Sequence, residues 1–131
     1  MLVVIDTNIL VSALWSKSGA PARILSLIIS GGLIPCYDYR ILSEYRDVLS
    51  RPKFKFTDSE INALLDWIVE NGRQVIAEPL NVDFTDEYDK KFYEVAKFCD
   101  AKLITGNIKH FPNDKLVLSV PEFLEQYNKR S

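Results

Sequence analysis

Residues 1–10 read MLVVIDTNIL, and the reading of Asp6 within that stretch decides the fold. Leu2 to Ile5 is short, apolar and mostly β-branched, the pattern of a strand covered on both faces rather than half exposed. Ile9 and Leu10 resume the apolar character after the carboxylate. An unpaired aspartate inside such a run is costly. Either the strand ends at Asp6 and turns the side chain out of the core, or something positive meets it there.

Four further short stretches share the pattern: Leu33 to Tyr37, Gln74 to Ala77, Lys102 to Thr105 and Leu116 to Ser119. Helical periodicity fills the spaces between them. From Pro21 to Ser30, Pro21 suits a first turn, Ile24, Leu25 and Ile28 keep the 3.6 period, and Gly31-Gly32 stop it. Asp38 to Leu49 repeats the logic with Ile41, Leu42, Tyr45, Val48 and Leu49. Thr57-Asp-Ser-Glu60 has capping-box spacing ahead of Ile61, Leu64, Leu65 and Ile68, with Asn71-Gly72 as the stop. Thr85 or Asp86 can cap a helix whose inner face is Tyr88, Phe92, Val95, Ala96 and Cys99. Ser119 to Glu122 can start a last helix that holds Phe123, Leu124 and Tyr127.

Short buried strands alternating with helices, with no hairpin dipeptide between them, call for right-handed crossovers. The expected fold is three-layer α/β/α around a central, mostly parallel five-stranded sheet. A chain of 131 residues fits a single domain over 1–131. Its 47% hydrophobic and 26% charged residues exclude disorder and a membrane span. With 16 Lys and Arg against 18 Asp and Glu, the net charge of -2 gives no global pull toward nucleic acid. Phosphate binding then needs a local arrangement. Cys36 and Cys99 have neither CxxC spacing nor a His-rich partner segment, and read as buried thiols of a reducing cytosol. The amino terminus has no basic n-region, so the expected address is the cytoplasm.

In such folds the ligand site lies beyond the carboxyl ends of the strands. Asp6 follows the first strand and Gly106-Asn107 follow the fourth, so both should lie at that edge. Glu44 falls on the border of its helix's apolar stripe, where a side chain can look into a cleft. Asp86 and Asp89 sit in the first turn of theirs, where they also suit the helix dipole. Two carboxylates about 4 Å apart repel by roughly 1 kcal/mol in water and about 4 at a partly buried site. A cluster of three therefore needs a cation or raised pKa values. Oxygen ligands without His or Cys point to Mg²⁺ or Mn²⁺. Thr7, Asn8, Ser12 and Thr105 are hydroxyls and amides that can orient a phosphate or water, or serve as caps.

DTNILVSA, ILSEYRDVLSRP, DEYDKKFYEVA and LITGN, in that order, resemble the motifs of the PIN domain family. The resemblance runs from Leu2 to about Phe123 and is similar in particular to the bacterial group described as toxins of toxin-antitoxin systems. It implies a metal-dependent ribonuclease in which acidic side chains hold divalent ions and a metal-activated water cleaves a phosphodiester. Asp6, Glu44 and Asp89 match the three most regular acids of the pattern. Asp86 matches a supporting acid just ahead of the third. Asn107 is a departure, because the family often has aspartate there, and an amide brings no charge for a second metal. The resemblance also implies an RNA substrate, an antitoxin partner and a homodimer.

Arg40, Arg46, Arg51, Lys53 and Lys55 on one side, and Lys90, Lys91 and Lys109 on the other, are candidates to line an RNA groove. His110 reads as loop or packing, and Trp15 as a core residue or, if exposed, a partner surface. Two rivals that share such a sheet fall short. Haloacid-dehalogenase-type phosphatases want an aspartate at Asn8, and receiver domains have no place for Glu44. The rival from another class is a PIN-like module that binds RNA or protein without cutting, kept open by Asn107.

Overall fold

In a computed structural model that describes residues 1–130, β1 (Leu2–Ile5) ends where Asp6 caps helix α1 (Thr7–Trp15). The chain continues through α2 (Ala20–Ile29), β2 (Ile34–Tyr37), α3 (Tyr39–Leu49), α4 (Asp58–Asn71) and β3 (Arg73–Gln74). It closes with α5 (Glu87–Cys99), β4 (Lys102–Ile104), β5 (Val117–Leu118) and α6 (Val120–Lys129). The five strands form one parallel sheet in the order β3-β2-β1-β4-β5. Helices cover both faces, which makes the three-layer α/β/α fold.

That strand order places the first strand in the middle, where both of its faces are covered. Val3 and Val4 are fully buried and Ile5 nearly so, as an uninterrupted apolar strand requires. The chain leaves β1 toward β2 on one side and returns to β4 on the other. The carboxyl end of β1 beside β4 is therefore the switch point of the sheet, and Asp6 stands on it. No helix among the described residues is long and apolar enough to cross a membrane.

Local signals account for most helix ends. Thr57 and Ser119 each form a capping box, with Glu60 and Glu122. Asp38 and Asp86 accept hydrogen bonds from the amides of Ile41 and Tyr88. Gly72 ends α4, yet its φ of -88° is not left-handed. It is needed for close approach: a Cβ there would lie 2.6 Å from the Pro35 carbonyl oxygen and closer still to that of Ile68.

Several expectations need correction. The third strand is Arg73–Gln74 rather than Gln74 to Ala77. β2 ends at Tyr37, so after Val75 donates to the Tyr37 carbonyl no backbone remains to pair with, and Ile76 is 91% exposed. β5 keeps only Val117–Leu118, because Ser119 is taken by the cap of α6. α1 is a helix that the sequence reading did not mark, since Asp6, Thr7 and Asn8 obscure its period. Tyr88 is exposed rather than on the inner face of α5, and Trp15 is 62% exposed rather than in the core. Cys36 is buried and Cys99 half-buried, both as free thiols. Burial and the neighbouring Cys99 push the Cys36 thiol up to about 12, which keeps it inert at neutral pH.

Gly72→Ala should cost about 1–3 kcal/mol, because two backbone carbonyls would have to move. Urea unfolding should show a lower midpoint at unchanged slope.

Candidate functional site

Asp6, Glu44, Asp86 and Asp89 line one open cleft of about 990 Å³, together with Thr7, Asn8, Arg40, Ser43, Arg51 and Lys91. Four segments supply the walls: the end of β1 with the start of α1, the exposed border of α3, and the first turns of α5 with Asp86 at its cap. The acids predicted from sequence are thus brought together at the carboxyl end of the sheet. Asn107 is the exception. Its side chain is exposed and outside the cleft wall, while its amide donates to Thr105 Oγ1 (3.0 Å).

Asp6 is the buried member, 6% exposed. Its Oδ2 accepts a hydrogen bond from Thr105 Oγ1 (2.7 Å), and its amide donates to the Ile104 carbonyl (3.0 Å). Thr105, fully buried at the end of β4, therefore joins the two strands at the switch point. Burial raises the Asp6 carboxyl above its ordinary range, the Thr105 hydroxyl lowers it, and the charges of Asp89 and Glu44 raise it further. Among the described residues no ion pair reaches Asp6. Asp89 is also raised, first by burial and then by Asp86 and Glu44, with His110 opposing.

Glu44 and Glu94 are compensated by Lys91 and Arg40, whereas Asp86 accepts only from the Tyr88 amide. Lys91, expected to face RNA, is 9% exposed. Its Nζ lies 2.7 Å from Glu44 Oε1 and donates to the Tyr88 carbonyl, while Thr7 Oγ1 donates to Glu44 Oε2. Arg40 bridges Asp38 (2.7 Å) and the buried Glu94 (2.9 Å), and Glu94 Oε2 accepts from the Leu80 amide (2.7 Å). That network ties α3, α5 and the segment between β3 and α5 into one wall. His110 is not only packing, since its Nδ1 lies 3.5 Å from Asp89 Oδ2. Lys91 and Glu94 carried a signal: both fall among Phe92, Tyr93, Val95 and Ala96, where a solvated side chain has no room.

Among the described residues no three or more His, Cys, Asp or Glu side chains are already gathered as a metal cage. The donor chemistry nevertheless fits a hard divalent cation. Acidic side chains from separate segments line one cleft, and two of the carboxyls, Asp6 and Asp89, are raised first by burial and then by neighbouring acids.

A parallel α/β sheet with acids gathered at its switch point is an architecture of nuclease type. The sequence profile of the PIN domain matches residues 2–109, and the chain belongs to that family. PIN domains are in general nucleases and typically use divalent metals. The chain is also similar to an uncharacterized protein of Methanocaldococcus jannaschii. The two are 33% identical over 143 residues, covering 97% of this chain and 92% of the relative.

Asp6→Asn should stabilise the metal-free protein at pH 7. The folded-state pKa lies above the ordinary 3.8, so ionising Asp6 as pH rises through and beyond that range costs the fold stability. Below the ordinary value both states are protonated and the cost vanishes. Thermal melts in EDTA should show a Tm a few degrees higher for the variant at pH 7, with the gap closing toward pH 4.

Proposed function

We propose that the protein is a metal-dependent ribonuclease, with Mg²⁺ or Mn²⁺ held by Asp6, Glu44 and Asp89 and with Asp86 as the supporting acid. The observation that carries this reading is the buried Asp6, which has no ion-pair partner among the described residues and feels two further acids, Glu44 on α3 and Asp89 on α5. When bound, the divalent ion would supply an activated water and charge neutralisation at the phosphodiester.

The side chains then divide the remaining work. Thr105 holds the Asp6 carboxylate in place by its hydroxyl. Thr7 and Lys91 hold Glu44 at the cleft border. Arg51, on the cleft wall and half exposed, meets the substrate's phosphates. Asn107, outside the cleft wall, contributes its backbone N–H to the Thr105 hydroxyl that holds Asp6. The resemblance to the toxin group supports a cytoplasmic toxin restrained by an antitoxin that covers the cleft, and a homodimer, as parts of the same proposal.

One specific observation favours a second reading, an RNA- or protein-binding module without catalysis. Lys91 already neutralises Glu44, and the position after Thr105-Gly106 bears an amide instead of an acid.

Purified protein should cut mixed cellular RNA in Mg²⁺ or Mn²⁺ and not in EDTA, with Asp6→Asn and Asp89→Asn each slower on the order of 100-fold or more. Retained RNA binding with no cleavage under any metal would select the binding module. Mn²⁺ at about 100 times its Kd should stabilise the parent by about 2.7 kcal/mol in thermal melts and leave Asp6→Asn nearly unmoved.

A further inference from the structure

Trp15 is the last residue of α1 and is mostly exposed, although two aromatic rings lie against it. It meets Phe54 edge-on at 5.4 Å and 84°, and Phe56 at 6.3 Å and 82°. Phe54 and Phe56 are themselves stacked at 5.8 Å and 16°, and both are packed against the core. The residue between them, Lys55, has a φ of 59°, a left-handed conformation that a lysine rarely adopts. The backbone thus accepts strain where the two phenyl rings are brought parallel beneath the indole.

Basic side chains surround this cluster. Lys53 Nζ lies 5.1 Å from the Phe54 ring centroid, Lys55 separates the two phenylalanines, and Lys17 follows Trp15 by two residues. Two acids lie close by at the start of α4: Asp58 is exposed two residues after Phe56, and Glu60, which also feels Lys17, is turned to the Thr57 amide in its capping box. In a chain of net charge -2, three lysines against these two acids leave a small local excess of positive charge beside exposed aromatic surface. Aromatic faces among lysines suit single-stranded nucleic acid, whose bases stack and whose phosphates seek cations.

The cluster is continuous with the cleft by two routes. α1 begins with Thr7 and Asn8 in the cleft wall and ends at Trp15, about 12 Å away at 1.5 Å per residue. Arg51, also on the wall, immediately precedes the turn Pro52–Phe54 that carries Phe54. We infer that Trp15, seated on Phe54 and Phe56 and flanked by Lys17, Lys53 and Lys55, is a stacking platform for an unpaired base of a single RNA strand whose backbone continues into the acidic cleft. The role of the strand as substrate rests on the ribonuclease reading above. Because any base offers a face, the platform selects single strands over duplex more than one sequence over another.

The second tryptophan, Trp67, is removed as Trp67→Phe so that fluorescence reports on Trp15 alone, with Asp6→Asn added to prevent cutting. Oligoadenylate about 12 nucleotides long should quench Trp15 saturably, and the same strand in a duplex should not. By anisotropy of labelled RNA, Trp15→Ala should weaken binding about 5- to 100-fold while Trp15→Phe retains most of it. Lys53→Ala with Lys55→Ala should flatten the salt slope by about 1.4. Equal affinity of the Trp15→Ala variant and its parent overturns the platform, as does an absence of RNA binding. Sedimentation that shows self-association lost in Trp15→Ala, with RNA affinity unchanged, also overturns it and assigns the patch to a second copy of the chain. Cleavage by the otherwise unmodified protein is scored separately, so quenching without cleavage supports the platform while removing the nuclease reading.

Discussion

Asp6 is buried at the end of a doubly covered strand, and its neighbours of like charge reach it from other elements. The other buried charges around it have opposite partners among the described residues: Lys91 pairs with the half-buried Glu44, while Asp38 and Glu94 share Arg40. Among the described residues, the Asp6 carboxylate has the Thr105 hydroxyl and the Thr7 amide and no cation. At a partly buried site, like charges about 4 Å apart cost about 4 kcal/mol, so such an arrangement survives because the sheet and helices around it hold it. The carboxyls of Asp6 and Asp89 are raised above their ordinary range, first by burial and then by the acids around them.

The topology explains why the cost falls here. β1 lies in the middle of the sheet and its neighbours depart in opposite directions, which opens a crevice at its carboxyl end. Thr105 closes the floor of that crevice from β4. The Arg40–Glu94 pair, with the Leu80 amide, fixes the opposite wall. Fold and charge are coupled: the residues that keep the cleft open are also those that decide which acids stay uncompensated.

Much of this was legible in the residues. The covered strand of Leu2 to Ile5, the capping boxes at Thr57 and Ser119, and the acids at strand and helix ends each follow a local rule that the structure obeys. The gathering of Asp6, Glu44, Asp86 and Asp89 in one cleft follows from the parallel topology once the strands are placed. What was not legible depends on partners distant in sequence. Lys91 reads as one more surface lysine until Glu44, 47 positions away, lies beside it. Strand β3 was set too far along, because its length depends on where β2 turns into α3. Trp15 reads as core or as surface, since nothing local says that Phe54 and Phe56, half-buried against the core, lie beneath it.

The hydrogen bond between Thr105 and Asp6 joins residues 99 positions apart. While the chain emerges during synthesis, the first acid is complete long before β4 exists to receive it. The carboxylates remain apart until α5, which carries Asp89, packs on β1 and β2, and the Thr105 hydroxyl reaches Asp6 only when β4 docks on β1. Contacts of such long sequence separation are slow to form, because loop closure precedes any gain from pairing. The acidic cleft is thus an end product of folding, and a half-made chain carries its acids without yet having a site.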